Sequence, residues 1–96
     1  MDQLTRYDVA AYNGTLMVVV ESDLLPPDPA VVIIPLLSDY PAIMHLNPTI
    51  QFEGRSFTLA TRLIASVRRS SLRRVGNVSG QAEQIVRAVD ILITGV

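Results

Sequence analysis

The sequence predicts a small, mainly β protein in which one C-terminal helix packs on a sheet or barrel. The runs TLMVVVES (15–22) and AVVIIPLL (30–37) are rich in β-branched residues and too short for helices, so they indicate strands. Asn-Gly and Glu-Gly pairs indicate tight turns between strands. Near the C-terminus, apolar residues recur at helical spacing. Short strands followed by a single helix favour this fold class.

The first element is a predicted β-hairpin over residues 6–20 that turns at Asn13-Gly14, because this pair accommodates the two positive φ angles of a type I′ turn. Residues 23–30 (DLLPPDPA) are predicted to form a loop, since three prolines there remove amide donors and fix φ. Pro35 lies inside the next strand, where it predicts an edge, a bulge or the end of the strand.

A second hairpin is predicted within residues 46–63, around a Glu53-Gly54 turn. Its strands contain Thr49, Ile50 and Phe52 on one side of the turn and Phe57, Leu59 and Thr61 on the other. Residues 64–75 (IASVRRSSLRRV) alternate only weakly and are predicted as one strand.

The terminal helix has Ser79 as its predicted N-cap and Asn77 as a second candidate, with Gln81 and Glu83 in the first turn. Its predicted apolar stripe comprises Ala82, Ile85, Val86, Val89, Leu92 and Ile93. Gly95 fits the left-handed position after a helix, and Val96 would then pack back on Ile91 as in a Schellman cap. The residues alone leave open whether this segment is only a cap or also an interface.

The composition predicts one globular domain over residues 1–96. A chain of this length buries roughly 65% of its unfolded surface, and 49% of its residues are apolar against 18% charged. The absence of cysteine excludes disulfides, thiolate metal sites and cysteine nucleophiles. No apolar run approaches the about 20 residues of a membrane span, and residues 1–10 do not resemble a secretion signal. We therefore expect a cytoplasmic protein without a membrane segment.

Charge is segregated along the chain although the net charge is only −1. Residues 1–50 carry −5 and residues 51–96 carry +4, and every basic residue is arginine. Five arginines fall within residues 62–74. Arginine suits carboxylate or phosphate partners, so this segment is either a solvated surface or an anion-binding one.

The residues contain no strong catalytic pattern. His45 is the single histidine, and neither a nucleophile nor an orienting carboxylate is identified by spacing. No His and acidic residues have metal-ligand spacing, so no metal or cofactor is expected. Asp23 follows a strand, where an aspartate usually bonds to nearby amides rather than acting as a catalytic carboxylate. The sequence therefore favours a binding protein over an enzyme.

Four segments in order resemble the CcdB family of bacterial toxins: VVVESDLL (18–25), VVIIPLL (31–37), HLNPTIQFEGRSFTLATRLIASV (45–67) and DILITGV (90–96). The likeness runs from about Leu4 to Val96, although residues 37–45 are shorter than in familiar members and residues 68–77 align poorly. The resemblance implies an SH3-like barrel with a small accessory sheet and a C-terminal helix, arranged as a twofold homodimer.

The resemblance also implies a function. CcdB toxins bind the A subunit of DNA gyrase and trap its cleavage complex on DNA. A CcdA-like antitoxin neutralises them with a flexible segment, and the two together bind operator DNA and repress their own operon. The toxin performs no chemistry.

Residue by residue, the likeness places the main gyrase contacts at Thr94, Gly95 and Val96. Supporting contacts match Gln3, Leu4, Tyr7, Ser22, Leu24, Asp90 and Ile93. The best-known member has tryptophan where this chain has Thr94. We assign Arg68, Arg69, Arg73 and Arg74 to the antitoxin, because arginine–carboxylate contacts suit an acidic tail.

Two alternatives remain open at the level of sequence. The first is an endoribonuclease of the related MazF type, in which Arg62 and Thr61 would polarise a scissile phosphate. The second is a CcdB homologue that no longer poisons gyrase and binds only antitoxin and operator, for which Thr94 is the motive.

Overall fold

The computed structural model describes residues 3–95, which form seven strands and one α-helix. The strands are β1 (Asp8–Tyr12), β2 (Thr15–Val19), β3 (Ala30–Leu37), β4 (Thr49–Phe52), β5 (Arg55–Leu59), β6 (Ala65–Arg68) and β7 (Arg73–Asn77), and the helix is α1 (Ala82–Thr94). Short 3-10 helices lie at Thr61–Leu63, Arg69–Ser71 and Ser79–Gln81. The predicted fold class, mainly β with a C-terminal helix, is confirmed.

Both predicted hairpins are present, and turn chemistry explains each. Asn13 and Gly14 have φ of 49° and 79° between β1 and β2, and Glu53 and Gly54 have φ of 50° and 76° between β4 and β5. Two consecutive positive φ angles are what a two-residue type I′ turn requires. Each turn therefore sets the register of its hairpin and decides which residues face each side of the sheet.

The sheet is antiparallel and curls into a half-barrel. Its strand order is β4-β5-β3-β2-β1-β7, with β6 also pairing β3. The two end strands, β4 and β7, lie close to each other. The distance shows this: a Cβ added to Gly76 of β7 would lie only 2.5 Å from Cε1 of Phe52 on β4. A glycine at position 76 is thus what allows the aromatic ring to pack against β7.

Pro35 occupies a break in the hydrogen-bonding of β3. One edge of this strand pairs with β2, whereas the other pairs first with β6 at Ala30–Ile33 and then with β5 at Leu36–Leu37. Pro35 lies between those two partners, and its carbonyl accepts from the Ala60 N–H at 2.9 Å. Proline has no N–H, and here none is needed, because β3 has no partner strand on this edge at this point. Of the predicted edge, bulge or strand end, the structure therefore shows a local edge.

The prediction of one strand over residues 64–75 is wrong. Residues 69–71 form a 3-10 helix that divides the segment into β6, which pairs with β3, and β7, which pairs with β1. The pairing between β1 and β7 shifts register between Val9 and Ala10 of β1, which leaves Val75 of β7 as the extra residue of a bulge. Thr61, predicted to extend β5, also lies in a 3-10 helix instead.

The start of the helical region differs from the prediction at Ser79, which does not cap α1 with its side chain. Asn77, the second candidate, does not cap α1 either: its Oδ1 accepts the Ser79 N–H at 2.8 Å, where the preceding 3-10 helix begins after Val78. The side chain of Gln81 instead binds β4: Oε1 accepts the Gln51 N–H and Nε2 donates to the Gln51 carbonyl, both at 2.8 Å. This amide joins the beginning of α1 to the edge of the sheet.

The two faces of the central strands bury two apolar clusters, because neighbouring residues of a strand point to opposite sides. The larger cluster includes Val18 and Ile34, and α1 adds Ile85 and Ala88. The smaller contains Met17, Val19, Val31 and Ile33 and is covered by Leu4, Val67 and Leu72. Within the predicted stripe of α1, Ile85 is buried and Val89 packs on the larger cluster, whereas Ile93 is 71% exposed.

Among residues 3–95, no helix combines the length and hydropathy that a membrane-spanning segment needs.

Candidate functional site

The chain near its N-terminus and the loop after β2 form one surface. The Arg6 N–H donates to Oδ1 of Asp23 at 2.8 Å, which ties the two segments together across a separation of 17 residues. In the loop, Ser22 Oγ accepts the Leu24 N–H at 3.1 Å, and Leu24 is left 95% exposed. We call this surface the N-terminal patch: Gln3, Leu4, Tyr7, Ser22 and Leu24.

Local structure holds this patch in shape. Tyr7 has a φ of 72° and donates its N–H to the Val19 carbonyl at 2.7 Å, and its side chain packs on the larger apolar cluster. Leu4 packs on the smaller cluster across the sheet. The neighbouring Leu25 is also 56% exposed and was not singled out by sequence, because nothing in a proline-rich loop tells which leucine faces solvent.

The second group of predicted contacts lies at the end of α1. Asp90, Ile93, Thr94 and Gly95, which we call the helix-end patch, are all exposed. The Thr94 hydroxyl donates to the Asp90 carbonyl at 2.6 Å, so it is satisfied within the helix. Val96, the remaining predicted contact, lies outside the described residues.

Gly95 adopts the predicted left-handed conformation, with a φ of 78°. Its N–H bonds to the Ile91 carbonyl at 2.9 Å, which is the bond of the αL cap rather than the corresponding bond of the predicted Schellman cap. This cap stops the helix and leaves the preceding exposed residues on a defined last turn.

The structure therefore assembles the predicted contacts as two groups. Five lie in the N-terminal patch and four in the helix-end patch, and no hydrogen bond or ion pair within residues 3–95 joins the groups.

A buried carboxylate organises the edge of the sheet below the N-terminal patch. Asp8 is 1% exposed and accepts four donors: the Thr5 N–H (2.8 Å) and hydroxyl (3.2 Å) at Oδ2, and Asn77 Nδ2 (3.0 Å) and Arg74 Nε (3.1 Å) at Oδ1. Burial by itself would raise the pKa of Asp8, but the bonds from Thr5, Asn77 and Arg74 and the charge of Arg74 outweigh it and hold that pKa below its usual value. Arg74 is thus already engaged inside the protein.

Arg69 is engaged as well. Its Nη2 lies 3.1 Å from Oε2 of Glu21, its Nε donates to the Asp28 carbonyl at 2.7 Å, and its N–H donates to the Pro29 carbonyl at 2.8 Å. These bonds fasten the proline-rich loop to the turn between β6 and β7. By contrast, Arg68 and Arg73 are exposed and have no ion pair within residues 3–95.

His45 lies in an exposed loop beside α1. Its Nδ1 is 3.3 Å from Nη1 of Arg87 and must be the acceptor, because a guanidinium only donates. An open depression of about 670 Å³ is lined by His45, Ala82, Glu83, Val86, Arg87, Asp90 and Ile91. In the described part of the chain, no three His, Cys, Asp or Glu side chains are arranged to hold a metal ion.

The pair considered for an endoribonuclease is not assembled. Thr61 is fully buried, and its hydroxyl donates to the Leu46 carbonyl at 2.5 Å, while Arg62 beside it is exposed. A hydroxyl that is buried and already bonded cannot contact a scissile phosphate.

Comparison with known proteins decides the family. A sequence model of the CcdB protein family matches residues 5–95. The chain belongs to the CcdB family. Among curated proteins, no sequence matches it significantly. Membership confirms the resemblance of the ordered segments and indicates a toxin of a toxin–antitoxin system, because CcdB proteins are such toxins and are not a family of enzymes.

Proposed function

We propose that this CcdB-family protein binds the A subunit of DNA gyrase and traps its cleavage complex on DNA. The observation that carries the proposal is the family match over residues 5–95. In this proposal the toxin performs no chemistry, since gyrase itself forms the covalent complex that the toxin stabilises. The toxin acts in the cytoplasm as a single domain.

The N-terminal patch and the helix-end patch, completed by Val96, are the proposed contact surface. Leu24 and Ile93 are 95% and 71% exposed, and fully burying one such side chain contributes about 1.5–3 kcal/mol. Thr94 offers no broad aromatic face for stacking on a guanidinium, so binding should be weaker than with tryptophan by about a hundredfold.

We further propose a twofold homodimer in which the two helix-end patches lie side by side. The support is an α1 whose half-buried Leu92 and exposed Ile93 continue the apolar stripe beyond what the protein's own core covers. Light scattering should then give twice the chain mass of 10.5 kDa, and Ile93→Asp should shift it towards the monomer. A wild-type protein that is monomeric at micromolar concentration would contradict the dimer.

The gyrase proposal is tested with purified gyrase and supercoiled plasmid. With wild-type protein, gyrase should yield linear plasmid DNA once the protein–DNA complexes are denatured and the protein in them is digested. Deletion of Gly95-Val96 and the substitution Leu24→Asp should each abolish the linear product while the circular dichroism spectrum stays unchanged. Met44→Asp is the matched control, because Met44 is 83% exposed but belongs to neither patch.

Two results would refute parts of this proposal. Wild-type protein that binds no A subunit and traps no cleaved DNA would overturn the function and favour the homologue that only binds antitoxin and operator. Trapping that survives the deletion would overturn the assignment of the helix-end patch.

For neutralisation, we propose that an acidic segment of a CcdA-like antitoxin binds the arginine surface, and that only the resulting complex binds operator DNA. Arg68 and Arg73 would make the contacts, while Arg69 and Arg74 hold the surface in place through Glu21 and Asp8. Binding of the antitoxin segment should weaken with added salt, and Arg68→Gln with Arg73→Gln should flatten that dependence. Arg62→Gln, at another exposed arginine, is the control; affinity that is independent of salt would contradict the assignment.

A further inference from the structure

Arg6 lies beside the N-terminal patch, next to Tyr7 in the chain, and the sequence did not indicate it as a contact. Its guanidinium carbon lies 5.0 Å from the centre of the Tyr7 ring, so the side chain is held by stacking. Its Nε is enclosed by protein and has no hydrogen-bond partner. Within residues 3–95 the guanidinium forms no ion pair. Stacking on Tyr7 and enclosure of Nε thus hold the guanidinium in place, and no ion pair within residues 3–95 occupies it.

The nearby carboxylates are already used by other groups. Asp8 binds Arg74 and Asn77, and Glu21 binds Arg69. Asp23 accepts the backbone N–H of Arg6 and forms no ion pair with its guanidinium. None of these carboxylates therefore forms an ion pair with the Arg6 guanidinium within residues 3–95.

We infer that Arg6 is a further contact beside the N-terminal patch and binds a carboxylate of the gyrase A subunit through its Nη atoms. This inference rests on the proposed function. A carboxylate matches the planar fork of arginine with two parallel hydrogen bonds, and stacking on Tyr7 reduces the conformational freedom lost on binding. A measurement without DNA distinguishes this carboxylate from a DNA phosphate.

The test is the affinity of the intact chain for the purified gyrase A subunit, measured without DNA at two salt concentrations. Arg6→Gln should weaken binding about tenfold to a hundredfold and flatten its salt dependence. Arg6→Lys should keep the salt dependence but lose part of the affinity, because lysine retains the charge without the fork. Arg55→Gln is the matched control, since Arg55 lies 4.9 Å from the ring of Phe57 but belongs to the second hairpin.

The possible affinities distinguish a failure of the Arg6 contact from a failure of the proposed function. Equal affinities of Arg6→Gln and Arg55→Gln would overturn the role of Arg6 and leave the proposed function intact, as would a loss that occurs only when DNA is added. Wild-type protein that does not bind the A subunit would overturn both. Thermal unfolding of each variant separates a binding defect from a folding defect, and we expect Arg6→Gln to fold normally because its guanidinium makes no hydrogen bond within residues 3–95.

Discussion

The buried carboxylate of Asp8 gives the sharpest stability prediction. Both of its oxygens accept donors, so an asparagine in its place must turn an NH₂ group towards either Thr5 or the Arg74–Asn77 pair. Removing one partner of a fully buried ion pair costs about 3–5 kcal/mol, but the Arg74 side chain is 43% exposed and water can solvate it again. We therefore expect Asp8→Asn to lower the free energy of unfolding by about 2–3 kcal/mol at pH 7.

The pH dependence of this effect follows from the direction of the pKa shift. A carboxyl whose pKa is lowered by folding stabilises the protein fully above its unfolded value, near 3.8, and loses that contribution as the pH falls through the folded value. The difference in stability between wild type and Asp8→Asn should thus be complete at pH 7 and shrink below about pH 4.

Urea unfolding followed by far-ultraviolet circular dichroism, at one fixed protein concentration, measures the difference at pH 7 and near pH 3. The expected loss corresponds to a decrease of about 10–20 °C in Tm at neutral pH. Asp23→Asn is the matched control, because Asp23 accepts an N–H at a similar distance but is exposed. An Asp8→Asn variant that is as stable as Asp23→Asn, or a difference that is unchanged near pH 3, would refute the reasoning.

Two further predictions concern the closure of the half-barrel. Gly76→Ala should destabilise the protein by about 1–3 kcal/mol, because its Cβ would collide with the Phe52 ring, whereas Gly80→Ala has open space and should change the urea midpoint little. Gln81→Ala should cost about 1 kcal/mol and speed hydrogen exchange at the β4 amide to which this side chain binds, while the exposed Gln84→Ala should do neither. Equal effects of the two members of either pair would contradict the corresponding contact.

The hairpins could be predicted because their information is local. Asn13-Gly14 and Glu53-Gly54 specify their turns by backbone preference alone, whatever the rest of the chain does. The division of residues 64–75 could not be predicted in this way, since exposed arginines and serines give no alternation that reveals where a strand ends.

The arginine pairs were out of reach of sequence for a different reason. Arg69 meets Glu21 at a separation of 48 residues, and Arg74 meets Asp8 across two neighbouring strands. Charge segregation along the chain predicted an arginine-rich segment, but only the folded register shows which arginines are paired within the protein. The family likeness supplied the residues predicted as contacts, whereas their arrangement as two groups required the structure.

The amide of Gln81 has a consequence for the protein in concentrated solution. β4 is an end strand of the sheet, and its outer edge pairs with no other strand within residues 3–95. Such edges can recruit further chains into fibrils. The outward N–H and C=O of Gln51, near the middle of this short strand, are already occupied by that amide. An incoming chain would find no continuous row of partners there, so we expect this side chain to disfavour the addition of further strands at the β4 edge.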